Sequence, residues 1–108
     1  MTPPTGHDCI IIHPLAQGEF ERKIKWLKKH GYLVNAPAMF YEEIQEALHK
    51  LSQLGHHREI VKVPGYYRLG PTRTFRYSLI YQRSETTIYL VAFAAPQRRP
   101  GYWRRRKI

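Results

Sequence analysis

Residues 75–106 read FRYSLIYQRSETTIYLVAFAAPQRRPGYWRRR, and this stretch decides the fold. Residues 77–81 and 87–94 are mostly β-branched, aromatic or aliphatic. Arg83, Ser84, Glu85 and Thr86 interrupt them, which is the pattern of an antiparallel hairpin. Such a hairpin predicts the centre of a small sheet. On its first strand Tyr77, Leu79 and Tyr81 alternate with Arg76, Ser78, Ile80 and Gln82. On its second, Ile88, Leu90, Ala92 and Ala94 alternate with Tyr89, Val91 and Phe93. One face is expected to meet helices, and the other to present Arg, Ser, Gln and some aromatics.

Working outward, residues 59–63 alternate as a strand, Pro64-Gly65 reads as a turn or bulge, and residues 66–69 continue the strand until Gly70-Pro71 breaks it. Farther upstream the period changes. Pro14 opens a helical pattern carried by Ala16, Phe20, Ile24 and Leu27, and Gly31 stops it after Lys28, Lys29 and His30. Asn35 to Pro37 start a second helix, and Phe40, Ile44, Ala47, Leu48, Leu51 and Leu54 form its stripe up to Gly55. The short connection predicts an antiparallel helical hairpin. Residues 9–12, apolar throughout, are expected to form a strand inside the sheet. The predicted class is therefore α+β: two helices on one face of a twisted, mainly antiparallel sheet of about four strands. The 108 residues suffice for one domain, with residues 1–8 frayed and residues 98–108 a basic tail.

Charge divides the chain more sharply than composition does. Residues 1–55 hold six Lys/Arg against six Asp/Glu, whereas residues 56–108 hold twelve against two, so the net charge of +10 belongs to the second half. A basic sheet half on a neutral helical half predicts an anionic partner, either nucleic acid or an acidic polypeptide, over a merely solubilising face. Cys9 is the only cysteine, which excludes an internal disulfide and agrees with a reducing cytosol. No metal-site spacing, glycine-rich phosphate loop or catalytic triad pattern is visible, and no cofactor is expected. The opening residues lack the order of a signal peptide, and no apolar run is long enough for a membrane helix. A cytoplasmic chain with no membrane partner is expected.

Two groups of residues are candidates for chemistry. The first is the tail, in which Arg98, Arg99, Arg104, Arg105, Arg106 and Lys107 surround Tyr102 and Trp103. Guanidinium forks bind phosphate or carboxylate, and the rings either stack on a partner or pack on the core. The second is Arg68, Arg73 and Arg76, ahead of and within the hairpin's first strand. Metal-free RNA cleavage requires a base for the 2′-hydroxyl, cations for the phosphate and an acid for the leaving oxygen. No histidine follows His57, so Lys62, Arg68, Arg76, Arg98 and Tyr102 are the available players. His56 and His57 read as a solvent-exposed helix end rather than metal ligands, and His7 and His13 are uninformative.

The aromatic strand FRYSLIYQ, the aliphatic strand IYLVAFAA and the close QRRPGYWRRR together resemble the carboxy-terminal half of the RelE/ParE superfamily of bacterial toxins. Ala95 and Pro96 stand where many members carry a histidine. Ser78 stands where the ribosome-dependent nuclease branch carries an arginine. The resemblance implies the toxin of a type II toxin–antitoxin system, neutralised by a cognate acidic antitoxin. It implies either a ParE-like mode, poisoning DNA gyrase through a protein interface, or a RelE-like mode, cutting mRNA on the ribosome. Ser78 and the P-G-Y-W close favour the first. In the RelE-like mode Lys62, Arg68, Arg76, Arg98 and Tyr102 would be catalytic. In the ParE-like mode Arg73, Arg76, Arg98, Arg99, Tyr102, Trp103, Arg104 and Arg105 would bind the target or the antitoxin. A member of the fold that has lost toxicity is the remaining alternative.

Overall fold

The computed structural model describes residues 9–31, 34–53, 55 and 57–106. The readings made above for residues 1–8, Leu54, His56 and Lys107 lie outside the described residues. The order of elements is β1 (Cys9–Ile12), α1 (Pro14–His30), α2 (Ala36–Gln53), β2 (Tyr67–Leu69), β3 (Ser78–Arg83) and β4 (Thr87–Ala94). Two helices pack on a four-stranded mixed sheet of order β1-β4-β3-β2, an α+β fold of the expected kind. No helix among the described residues is long and apolar enough to cross a membrane.

The first helix begins and ends as its sequence dictates. The His13 ring accepts the Leu15 amide at 3.0 Å, which caps α1 where Pro14 has no amide to offer, and the Gly31 amide donates to the Leu27 carbonyl at 2.9 Å. The buried stripes of Ala16 and Leu27 on α1, and of Phe40, Ile44 and Leu51 on α2, meet Tyr77, Leu79, Tyr81, Ile88, Leu90 and Phe93 on the sheet. Phe40 sits at the middle of this core, 5.1 Å from the ring centres of both Phe75 and Tyr77.

Three sequence readings require correction. β1 is an edge strand rather than an internal one, and it pairs with β4 in parallel. Parallel pairing needs a long crossover, which the two helices provide, while β2 occupies the far side of β3. Accordingly Ile10 and Ile12 face the core, whereas Cys9 and Ile11 are exposed. Residues 59–63 form no strand. Glu59 makes one isolated bridge to Tyr67, after which Pro64 and the left-handed Gly65 (φ 86°) close a turn in which the Gly65 amide donates to the Glu59 carboxylate at 2.8 Å. The third correction concerns the phase of β4. The register steps from Ile80↔Ala92 to Tyr81↔Leu90, so Val91 is an extra, bulged residue. Phe93 therefore turns towards the helices, and Ala92 and Ala94 turn away, opposite to strict alternation.

Glu43 ties α2 to the segment before β3. Its carboxylate accepts the amides of Thr74 at 3.0 Å and Phe75 at 2.8 Å. Partial burial acts to raise its pKa, but the Phe75 amide, with donors on Thr72 and Thr74, outweighs it and holds the carboxyl below the ordinary 4.5. A group depressed in the folded state stabilises above its unfolded value and loses that contribution as the pH falls through the folded value. Glu43→Gln should therefore cost roughly 1 kcal/mol near neutrality. In urea unfolding the difference should shrink well below pH 4.5. A pH-independent difference would show that the charge is not what matters.

Candidate functional site

The site lies on the sheet face opposite the helices. This face is expected to present Arg, Ser, Gln and some aromatics, and its centre is apolar: Ile80, Val91 and Ala92 form a second small core. The chain covers it twice. The turn after Glu59 brings Ile60, Val63 and Tyr66 over one side, and the tail brings Trp103 over the other, with the Tyr66 and Trp103 rings 4.8 Å apart. Trp103 is 4% exposed and packs as part of this core.

The tail holds this position through one buried carboxylate. After β4 it folds as consecutive turns, with the Arg98 amide donating to Ala95, Tyr102 to Arg99, Arg104 to Gly101 and Arg106 to Trp103. The left-handed Gly101 (φ 77°) permits the reversal. Glu19, reaching from α1 with only 5% of its side chain exposed, then receives the chain end. It accepts two bonds from the Arg106 guanidinium at 2.9 and 3.1 Å, one from the Phe93 amide at 3.1 Å and one from the Tyr102 hydroxyl. Arg106 also donates to the Val91 carbonyl at 3.0 Å, which closes the tail onto the bulge.

Between the turn and the tail lies a cleft of about 560 Å³. Lys62, Arg68, Arg76, Arg98, Arg99 and Arg104 line it, above a floor of Ser78, Ile80 and Trp103. The Arg68 Nε donates to the Ser78 hydroxyl at 3.2 Å, and the Arg98 guanidinium stacks 3.8 Å from the centre of the Tyr102 ring. Arg76 occupies left-handed backbone, at φ 61°. For a residue with a β-carbon this costs on the order of 1 kcal/mol, and strain of this kind clusters at functional positions. Six residues earlier, Gly70 (φ 113°) passes so close to the start of β3 that a β-carbon would lie 2.9 Å from the carbonyl of the preceding Tyr77 and 3.3 Å from the Ser78 α-carbon.

The five residues expected to be catalytic in a nuclease, Lys62, Arg68, Arg76, Arg98 and Tyr102, all line this cleft. Of the binding candidates, Arg99, Trp103 and Arg104 join them. Arg105 flanks a neighbouring depression with Arg99 and Arg104, and Arg73 lies elsewhere, beside Glu43, Glu46 and Lys50. His57, expected at an exposed helix end, is half-buried with its ring nitrogen 2.8 Å from the Tyr81 hydroxyl. The Tyr81 phenol is pushed up to about 12 by burial and the neighbouring Tyr67, against the charge of Arg83.

Among the described residues lining the cleft there is no carboxylate and no imidazole. Arginine does not give up its proton in proteins. The Tyr102 phenol is driven well above its ordinary value by burial, by its bond to Glu19 and by the Glu19 charge, with Arg106 and Arg98 opposing. A phenol that donates to a buried carboxylate and resists ionisation is poorly suited to be a base. Chemically the arrangement can receive an anion between five guanidinium groups and the Lys62 ammonium, over a floor of Ser78, Ile80 and Trp103. Residues overlooked in the sequence are Glu19, Val63 and Tyr66; of these only Glu19, an acid beside the apolar stripe of α1, carried a signal. Comparison of the chain with protein-family models, with curated proteins and with solved structures gives no match in any of the three.

Proposed function

We propose that this chain is the toxin of a type II toxin–antitoxin pair of the RelE/ParE kind and that it acts in the ParE-like mode, by binding. The resemblance of residues 75–106 supplies the family, the acidic cognate antitoxin and DNA gyrase as the target. The observation that favours binding over catalysis is the cleft itself, walled by six cations while its tyrosine donates to Glu19. An anionic surface of the target, or acidic side chains of the antitoxin, would meet the guanidiniums in paired hydrogen bonds. Expression of the chain alone should arrest growth, and co-expression of the acidic partner should relieve it. With purified protein, gyrase supercoiling should be blocked while mRNA stays intact. Normal growth on expression would remove the toxin reading altogether.

A second reading, the RelE-like mRNA endonuclease, is favoured by one observation: the five residues that its chemistry would need share a single cleft. Arg76→Ala with Arg98→Ala separates the two. If the site cleaves RNA, ribosome-dependent cutting should fall about 100-fold or more, because both cations would stabilise charge developing in the transition state. If the site only binds, target inhibition should weaken without vanishing. New codon-positioned mRNA ends that appear only with ribosomes would overturn the ParE-like mode.

A further inference from the structure

A second cleft, of about 380 Å³, opens on the other side of Arg98, between α1 and the end of β4. Arg22, Lys23 and Trp26 of α1 line one wall, and Tyr77, Phe93 and Ala95 form the apolar opposite side. Two features make it unlike an ordinary solvated helix face. Trp26 is 52% exposed although it is the largest side chain on α1, and the Lys23 ammonium lies 4.6 Å from its ring centre and 6.0 Å from that of Tyr77. Cations thus gather beside an exposed indole, whose ring also meets that of His30 at 5.3 Å. The Glu19 carboxylate at the base does not repel an anion, because the Arg106 guanidinium already neutralises it at 2.9 Å and Arg98 lies 3.8 Å away.

We infer that this cleft is a binding site for a nucleoside polyphosphate, with the base on Trp26 and the phosphates on Arg22, Lys23 and Arg98. The ligand class follows from the combination: an indole face suits a planar heterocycle, three adjacent cations suit a charged chain of phosphates, and the volume falls within the range of small-ligand sites. The carboxylates of an acidic peptide would use the cations and leave the indole idle. Arg98 gives the site its consequence. It lines both clefts and stacks on Tyr102, so a phosphate that engages it from this side withdraws a cation from the larger cleft. The inference is independent of whether that cleft belongs to a toxin.

The test is isothermal titration of the purified chain with ATP and GTP, with inorganic tripolyphosphate and a short single-stranded oligonucleotide as the other probes. Saturable nucleotide binding is expected. It should weaken about tenfold or more in Arg22→Ala/Lys23→Ala, through loss of charge-assisted bonds, and comparably in Trp26→Ala. These side chains stand outside the core, and thermal unfolding of each variant, expected to match the parent, checks that they fold. Tripolyphosphate binding as tightly as ATP would overturn the role of Trp26. An oligonucleotide that binds through these residues where mononucleotides do not would replace the small ligand with a strand. Absence of nucleotide binding, or binding unchanged in both variants, would refute the site.

Discussion

Glu19→Ala is expected to lower the stability of this domain by about 3–5 kcal/mol, the usual effect of removing one partner from a buried ion pair. The side chain is 5% exposed and that of Arg106 10%, so the substitution leaves a guanidinium enclosed without its counter-charge. It also strands the Tyr102 hydroxyl and the Phe93 amide, both of which donate to Glu19. For a domain of this size the midpoint of thermal unfolding should fall by roughly 12 °C or more. Replacing the pair together, Glu19→Met with Arg106→Met, should recover part of the loss, since an apolar pair removes the enclosed charge although it cannot satisfy Tyr102. Trypsin should cleave the single variant faster after Arg98 and Arg104, because the tail those residues belong to is released. A change below about 1 kcal/mol, within the range of an exposed pair, would mean that the tail is held by something other than Glu19.

Glu19 also shows why the sequence revealed the elements better than the site. The hairpin of residues 75–94 and the helical stripes were readable because period and turn chemistry are local. The edge position of β1 was not readable, because four apolar residues fit an internal strand equally well and only the parallel pairing with β4 decides between them. The bulge at Val91 has no local signal either, yet it exchanges which of Phe93 and Ala92 faces the helices. In the site, Arg68, Arg76 and Arg98 were singled out by charge, and the fold gathers them into one cleft. What charge alone could not say is that the tail forms a wall. That depends on contacts between residues more than eighty positions apart, from Glu19 to Tyr102 and Arg106. A basic tail and a folded basic wall have the same composition.

Trp103→Ala is the second large effect, and it bears directly on how the tail should be tested. The indole is 4% exposed over Ile80, Val91 and Ala92 and lies against Tyr66. Truncating it should cost about 3–5 kcal/mol, as for other buried aromatics. Trp103→Phe, which keeps a ring against Tyr66, should cost distinctly less. Denaturant unfolding with a near-ultraviolet signal would measure both, and equal losses in the two would show that the ring is not packed. Removal of residues 100–108 combines this loss with that of Tyr102 and Arg106, the partners of Glu19, so the shortened chain should fail to fold. Its loss of growth arrest would then follow from unfolding and reveal nothing about recognition. Arg104→Ala with Arg105→Ala is the informative variant. Both side chains are exposed, so stability should change by no more than about 0.5 kcal/mol. Weakened target inhibition in that stable variant would assign Arg104 and Arg105 to the interface, whereas undiminished inhibition would leave recognition to the other cations of the cleft, Lys62, Arg68, Arg76, Arg98 and Arg99.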